Sequence, residues 1–400
     1  MTMKKLFVVK RVVENTDSIW INAKTFRNRK NQTSKILGLR VLSILFTICL
    51  VSSLVCNVFA LSATKNTQSA EQVINLYSNN KEVKYTISSQ KTIFGISGDS
   101  TYTIYKLKPY GFAILLDETN GLMEACYAKN AVVPIDIKSN AQYYYGGPGV
   151  YCVRQNGNYL NTFDGEILSS DDIYHCSQLE KSAAQYELSK SDKISSKTGK
   201  IDAKSNFMIH SVAFDYFMDL DEYGTNVNGT CTVLAAAMLL GYYDNFVDED
   251  FVPTQYEDGN GTTESFHQYL NLFVYGNGPQ CGIFIHDALP GINAYLTNQM
   301  VGATMVSDYS SQTSAINNII NNLAAGVPVI ASMGTHVGAA YDHTVLVYEI
   351  YYIDSDPTGT ASVTVNMGWG DTINGDDGQF NTVYTTSAGW FYECGYLQYY

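Results

Sequence analysis

The chain has 400 residues, 46% of them hydrophobic and 13% aromatic, enough apolar material for two or three packed domains and too much for a disordered chain. Its formal net charge of -13 is unevenly spread: residues 1–60 hold ten Lys/Arg against two Asp/Glu, residues 61–204 hold fifteen of each, and residues 205–400 hold 21 Asp/Glu with no Lys or Arg. A half without a cationic side chain cannot clamp phosphates, which argues against nucleic-acid and nucleotide partners, and its charge repels an anionic membrane surface.

Residues 1–60 read as an export signal. Basic positions from Lys24 to Arg40 precede an apolar run from Val41 to Val55, and Val58-Phe-Ala60 or Leu61-Ser-Ala63 offers small residues for cleavage. This predicts a secreted protein. The competing reading is an uncleaved membrane anchor with the rest of the chain outside, the only membrane contact expected.

Residues 61–187 read as a small α+β module. A short helix is predicted over 70–77. Thr101–Lys108 alternates at period two, and Gly111–Asp117 follows a Pro109-Tyr-Gly turn, which predicts a hairpin. His175 is its one histidine and has no catalytic pattern around it. Residues 188–206 lose apolar periodicity and are rich in Ser and Lys, which predicts a solvated linker. Lys190, Lys193, Lys197, Lys200 and Lys204 are the last cations of the chain, so a Lys-directed protease cutting here would find no further site.

Residues 207–400 carry the chemistry. Cys231 opens an almost wholly apolar segment that runs to Tyr243 and reads as a buried helix. A thiol at a helix N-terminus meets the positive end of the macrodipole and free backbone N–H groups, which favour the thiolate and suit an oxyanion. Helices are predicted over 264–273, 289–300 and 314–325, and strands over 327–332, 343–353 and 361–366. A helix followed by a run of strands is an α+β order. The hairpin of the last two strands brings His343 toward Asn366. His343 is the candidate base, Asn366 its orienting partner, and Trp369 a shield over the pair. His336 is a rival base. The plainer readings are a buried core cysteine and a satisfied strand histidine. Cys281 and Cys394 lack a following helix. Asp371, Asp376 and Asp377 lie in a Gly-rich loop but do not match a calcium-loop spacing, so neither a metal nor a cofactor is expected. Eight cysteines without a C-x-x-C pair give no zinc or redox motif, and a Cys152–Cys176 disulfide cannot be deduced from spacing.

The order Cys231, His343, Asn366 resembles papain-like cysteine peptidases. Cys231-Thr-Val-Leu-Ala-Ala-Ala-Met-Leu-Leu-Gly-Tyr-Tyr and Val365-Asn-Met-Gly-Trp-Gly are similar to segments of the secreted bacterial streptopain group. Ala325-Gly-Val-Pro-Val-Ile and His343-Thr-Val-Leu-Val are similar to strands of bacteriocin-processing-like peptidases, and Gly111-Phe-Ala-Ile-Leu resembles a strand of streptopain-type propeptides. The resemblance implies an endopeptidase acting on protein or peptide substrates, made as a zymogen whose propeptide, residues 61–187, inhibits it in the same chain. Two departures stand out. Cys231 is followed by Thr232-Val233 rather than Gly-Pro, and no Gln lies just upstream, so Asn226, Asn228 or the backbone is left as oxyanion donor.

Overall fold

The computed structural model describes residues 69–78, 82–129, 131–162, 165–198, 207–212, 229–257, 263–333, 343–368, 372–373, 376–377 and 383–399. The expected leader, Asn226, Asn228, His336, Trp369 and Asp371 lie outside these residues. Among the described residues no helix is long and apolar enough to cross a membrane.

The N-terminal half begins with helix α1 (69–76). Strands β1 (Thr86–Gly95), β2 (Thr101–Lys108), β3 (Phe112–Leu116) and β4 (Gly121–Cys126) follow as an antiparallel meander. The predicted hairpin is present, with Tyr105 opposite Ala113. Strands β5 (Tyr143–Gly147), β6 (Val150–Gln155) and β7 (Asn158–Asn161) extend the far side through a parallel β1–β5 pair. Helix α2 (Ser170–Thr198) then starts on a reciprocal cap, in which Ser169 and Asp172 each bond the other's backbone N–H, at 2.9 and 3.1 Å.

The C-terminal half contributes β8 (Phe207–Ser211), α3 (Cys231–Phe246), α4 (Thr263–Tyr275), α5 (Ile285–Asn298), β9 (Ala303–Asp308), α6 (Gln312–Ala324), β10 (Val329–Met333) and β11 (His343–Ile353). It ends with the single turn α7 (Pro357–Thr360), β12 (Ser362–Asn366), the small pair β13 (Thr372–Ile373) and β14 (Asp376–Asp377), β15 (Val383–Ser387) and β16 (Phe391–Tyr399). Ser311 caps α6 by accepting from the Ser314 N–H, as its sequence position allows.

The fold is mixed α+β, and its sheet runs through both halves. Strand order is β7-β6-β5-β1-β2-β3-β4-β15-β12-β11-β10-β16-β9, with β8 also paired to β11. The seam is β4 against β15, where Ala125 faces Thr385 and Glu124 faces Thr386. A gap was expected between the two modules; the sheet and helix α2 bridge it. Residues 188–198, expected as linker, are the last turns of α2. Lys190 is buried rather than solvated: its Nζ bonds Ser362 Oγ at 2.9 Å and Glu187 Oε1 at 3.3 Å. Glu187 in turn accepts from Ser387 at 2.6 Å, and the Tyr186 hydroxyl accepts the Ala361 N–H at 2.7 Å. A cation is stable there because an anion and hydroxyls replace its water, a partnership that composition does not reveal.

Helix α3 is the hub of the C-terminal half. Every residue from Cys231 to Tyr243 is buried, because it packs on β10 and β11 on one side and on α4 and α5 on the other. Strand β11 is equally enclosed, with ten of its eleven residues buried. That enclosure explains its nearly continuous apolar run, where a half-exposed strand would alternate.

Candidate active site

Gly229 and Thr230 lead into the nucleophile. Gly229 has φ +74°, and a side chain there would come 3.2 Å from the Gly282 nitrogen. Glycine is therefore required by both conformation and space. Thr230 makes no side-chain cap, while its carbonyl accepts the Leu234 N–H at 3.0 Å. The first-turn amides and the positive end of the helix are thus directed at Cys231 without a side-chain oxygen competing for them. His267 on α4 supports this turn through the Thr230 backbone. Burial pushes its ring down to about 4, so the imidazole is neutral near pH 7.

Cys231 is 6% exposed. Burial raises its thiol, but the hydrogen bond and charge of His343 act the other way. The Thr344 N–H, 3.4 Å from Sγ, and the Thr232 hydroxyl add to them, and the net result lies below the ordinary thiol value. A buried sulfur that is nonetheless easier to ionise than a free thiol is the electrostatic signature of an activated nucleophile.

His343 stands at the first position of β11, opposite Met333. Its Nε2 lies 2.6 Å from the Met367 carbonyl. A carbonyl only accepts, so Nε2 carries the proton, and Nδ1 is left as the ring atom for the sulfur. Sequence reasoning placed the ring's acceptor on Asn366. The acceptor of this bond is the backbone of the next residue, and Asn366 Oδ1 takes the Gly368 N–H at 2.8 Å. Asn366 therefore closes the turn that presents the Met367 carbonyl. Gly368, at φ +65°, has no room for a side chain, since a Cβ would meet Leu234 Cδ2 at 2.9 Å. The nucleophile helix and the turn behind the histidine are in this way packed directly together.

Tyr275 ends α4 beside the site. Its hydroxyl donates to the Cys281 carbonyl at 2.6 Å, and burial, then the charges of Cys231 and Cys281, push the phenol up. The remaining candidates do other things. Cys394 is buried in β16, and burial pushes its thiol well up. Cys281 is an exposed free thiol, whereas Cys152 and Cys176 are free and share one buried apolar cluster. His210 Nε2 bonds the Tyr352 hydroxyl at 2.8 Å, and His286 Nδ1 bonds Glu393 at 2.9 Å. Among the described residues no group of three or more His, Cys, Asp or Glu is arranged for a metal ion.

Sequence reasoning missed the Thr344 N–H, the Thr232 hydroxyl, the Met367 carbonyl and His267. Backbone partners leave no mark in residue types. The one signal present was Thr232, which stands where the resembled peptidases have Gly.

The chain matches no family model and no curated protein sequence. The arrangement itself is a thiol made ionisable at a helix start, a base held in one tautomer, and uncapped amides nearby. Those three parts are what acyl transfer through a thioester requires.

Proposed function

We propose that the protein is a secreted cysteine endopeptidase with a papain-like catalytic half, made as a zymogen. The observation that carries this reading is the Cys231 sulfur held between the His343 ring and the Thr344 N–H, with its thiol lowered despite burial. In the reaction the Cys231 thiolate attacks a peptide carbonyl. His343, protonated at both nitrogens in the ion pair, gives the Nδ1 proton to the leaving amine. The neutral ring then takes a proton from the water that cleaves the thioester. First-turn N–H groups of α3 stabilise the oxyanion of both steps. Asn366 and the Met367 carbonyl hold the ring.

The N-terminal half acts as the propeptide in this reading. The 6% exposure of Cys231 supports a latent state, because substrate needs a more open sulfur. Among the described residues, polar contacts from α2 fall on 358–362 and 387–389, so the half is anchored at a distance along the chain from the nucleophile.

An epoxysuccinyl thiol inhibitor tests the assignment. After activation it should label Cys231 and abolish cleavage of casein, and Cys231→Ser should abolish both labelling and cleavage. Labelling of another cysteine, or casein cleavage by Cys231→Ser, would rule the reading out.

A further inference from the structure

Beside the Cys231–His343 pair lies a chain of buried hydroxyls that the reaction as described does not use. Thr232, the residue after the nucleophile, donates through Oγ1 to the Ile283 carbonyl. Its Oγ1 is also 2.8 Å from Thr344 Oγ1, which in turn is 2.8 Å from Ser332 Oγ. All three hydroxyl side chains are buried.

The direction of this chain follows from proton counting. Each hydroxyl has one proton, and a carbonyl can only accept. Thr232 gives its proton to Ile283, so it must accept from Thr344, and Thr344 must accept from Ser332. The order is Ser332 to Thr344 to Thr232 to Ile283. These residues belong to β10, β11, the first turn of α3 and the segment leading into α5. In the sheet Ser332 faces Thr344 directly, so the first link follows from strand register. Thr344 is the junction: its backbone N–H reaches the sulfur while its side chain reaches Thr232. The three elements are tied where the thiol meets the ring.

We propose that Thr232 and Thr344 are positioning residues for the thiol reaction: the hydroxyl chain pins the nucleophile turn to the histidine strand and to residues 281–283, and so sets how the Cys231 sulfur meets His343 and the Thr344 N–H. This rests on the reading of Cys231 as a nucleophile. A valine at either position has nearly the same shape as threonine but leaves buried groups without partners, which costs more than the bond itself was worth. It also removes a donor within reach of the sulfur. The ring, the helix start and the apolar packing stay as they were.

The experiment is iodoacetamide alkylation of Cys231 in the full-length protein across a range of pH, read by mass on the chymotryptic peptide that carries it. Trypsin is unsuitable, since no Lys or Arg follows Lys204. Thr232→Val and Thr344→Val should each slow alkylation about tenfold at about pH 6 and move its midpoint upward, while Thr232→Ser keeps the wild-type profile. Circular dichroism confirms that each variant is folded, and Ser332→Ala at the far end of the chain should give a smaller shift in the same direction. A wild-type profile in both valine variants overturns the proposal. So does an equal loss in Thr232→Ser, which would mean that the methyl contact matters and the hydroxyl does not. A wild-type protein whose alkylation is unchanged by His343→Ala would instead overturn the nucleophile reading itself.

Discussion

Nε2 of His343 and the carbonyl of Met367 stand 2.6 Å apart, so a backbone oxygen fixes which ring nitrogen faces Cys231. Removing the ring should unmask the effect of burial. In His343→Ala the largest influence left on the Cys231 thiol is desolvation, which raises it. The alkylation midpoint, below the ordinary thiol range in the wild type, should move above that range. A midpoint that stayed put would show that the helix end and the Thr344 N–H suffice alone.

The Asn366–Gly368 turn should be intolerant of a side chain. Gly368→Ala must hold a positive φ and push a methyl against Leu234. We expect a loss of roughly 1–3 kcal/mol in urea unfolding, with slower Cys231 alkylation as the Met367 carbonyl shifts. Asn366→Ala should slow alkylation with a smaller loss of stability, because it removes the bond that closes the turn but adds no clash.

Glu124 sits fully buried at the seam of the sheet. Burial raises its carboxyl from 4.5 to about 7, against the opposing hydrogen bonds of Tyr151 and Tyr145. Between these two values the folded protein holds a proton that the unfolded chain has lost, so stability falls as pH rises through this window. The loss is on the order of 3 kcal/mol and is complete above the folded value. Glu124→Gln carries no titrating group and should flatten this slope. Urea midpoints at about pH 5 and about pH 8 measure both.

The buried Lys190–Glu187 pair predicts an asymmetric double-mutant cycle. Lys190→Met strands the Glu187 carboxylate and should cost about 3–5 kcal/mol. Glu187→Leu together with Lys190→Met should recover much of that, since neither charge then remains. Additive losses would place the pair's contribution in packing.

Much of the site was legible because its residue types sit at element boundaries. Cys231 opens an apolar run and His343 opens a β-branched one, and both elements start at those residues. The amphipathic segment 312–324 was equally plain, since its apolar spacing and Ser311 act locally. What was hidden depends on distant partners. Lys190 reads as solvent-loving until Glu187, Ser362 and Ser387 are placed around it. Thr232 and Thr344 are 112 residues apart in sequence, and no local pattern reports that their hydroxyls touch. The Met367 carbonyl was invisible for a simpler reason: every residue has one.

The β4–β15 seam has a consequence for maturation. A cut beyond Thr198 would sever the chain but leave the two halves laced by shared backbone hydrogen bonds and by Tyr186, Glu187 and Lys190. Parting them would bare two raw strand margins at once, each with a row of unsatisfied amides and carbonyls. Such margins are templates for self-association. The nicked protein should therefore co-elute as one species until something else occupies the margin of Val383–Ser387, and its release step, more than the cut, would set how fast the free half accumulates.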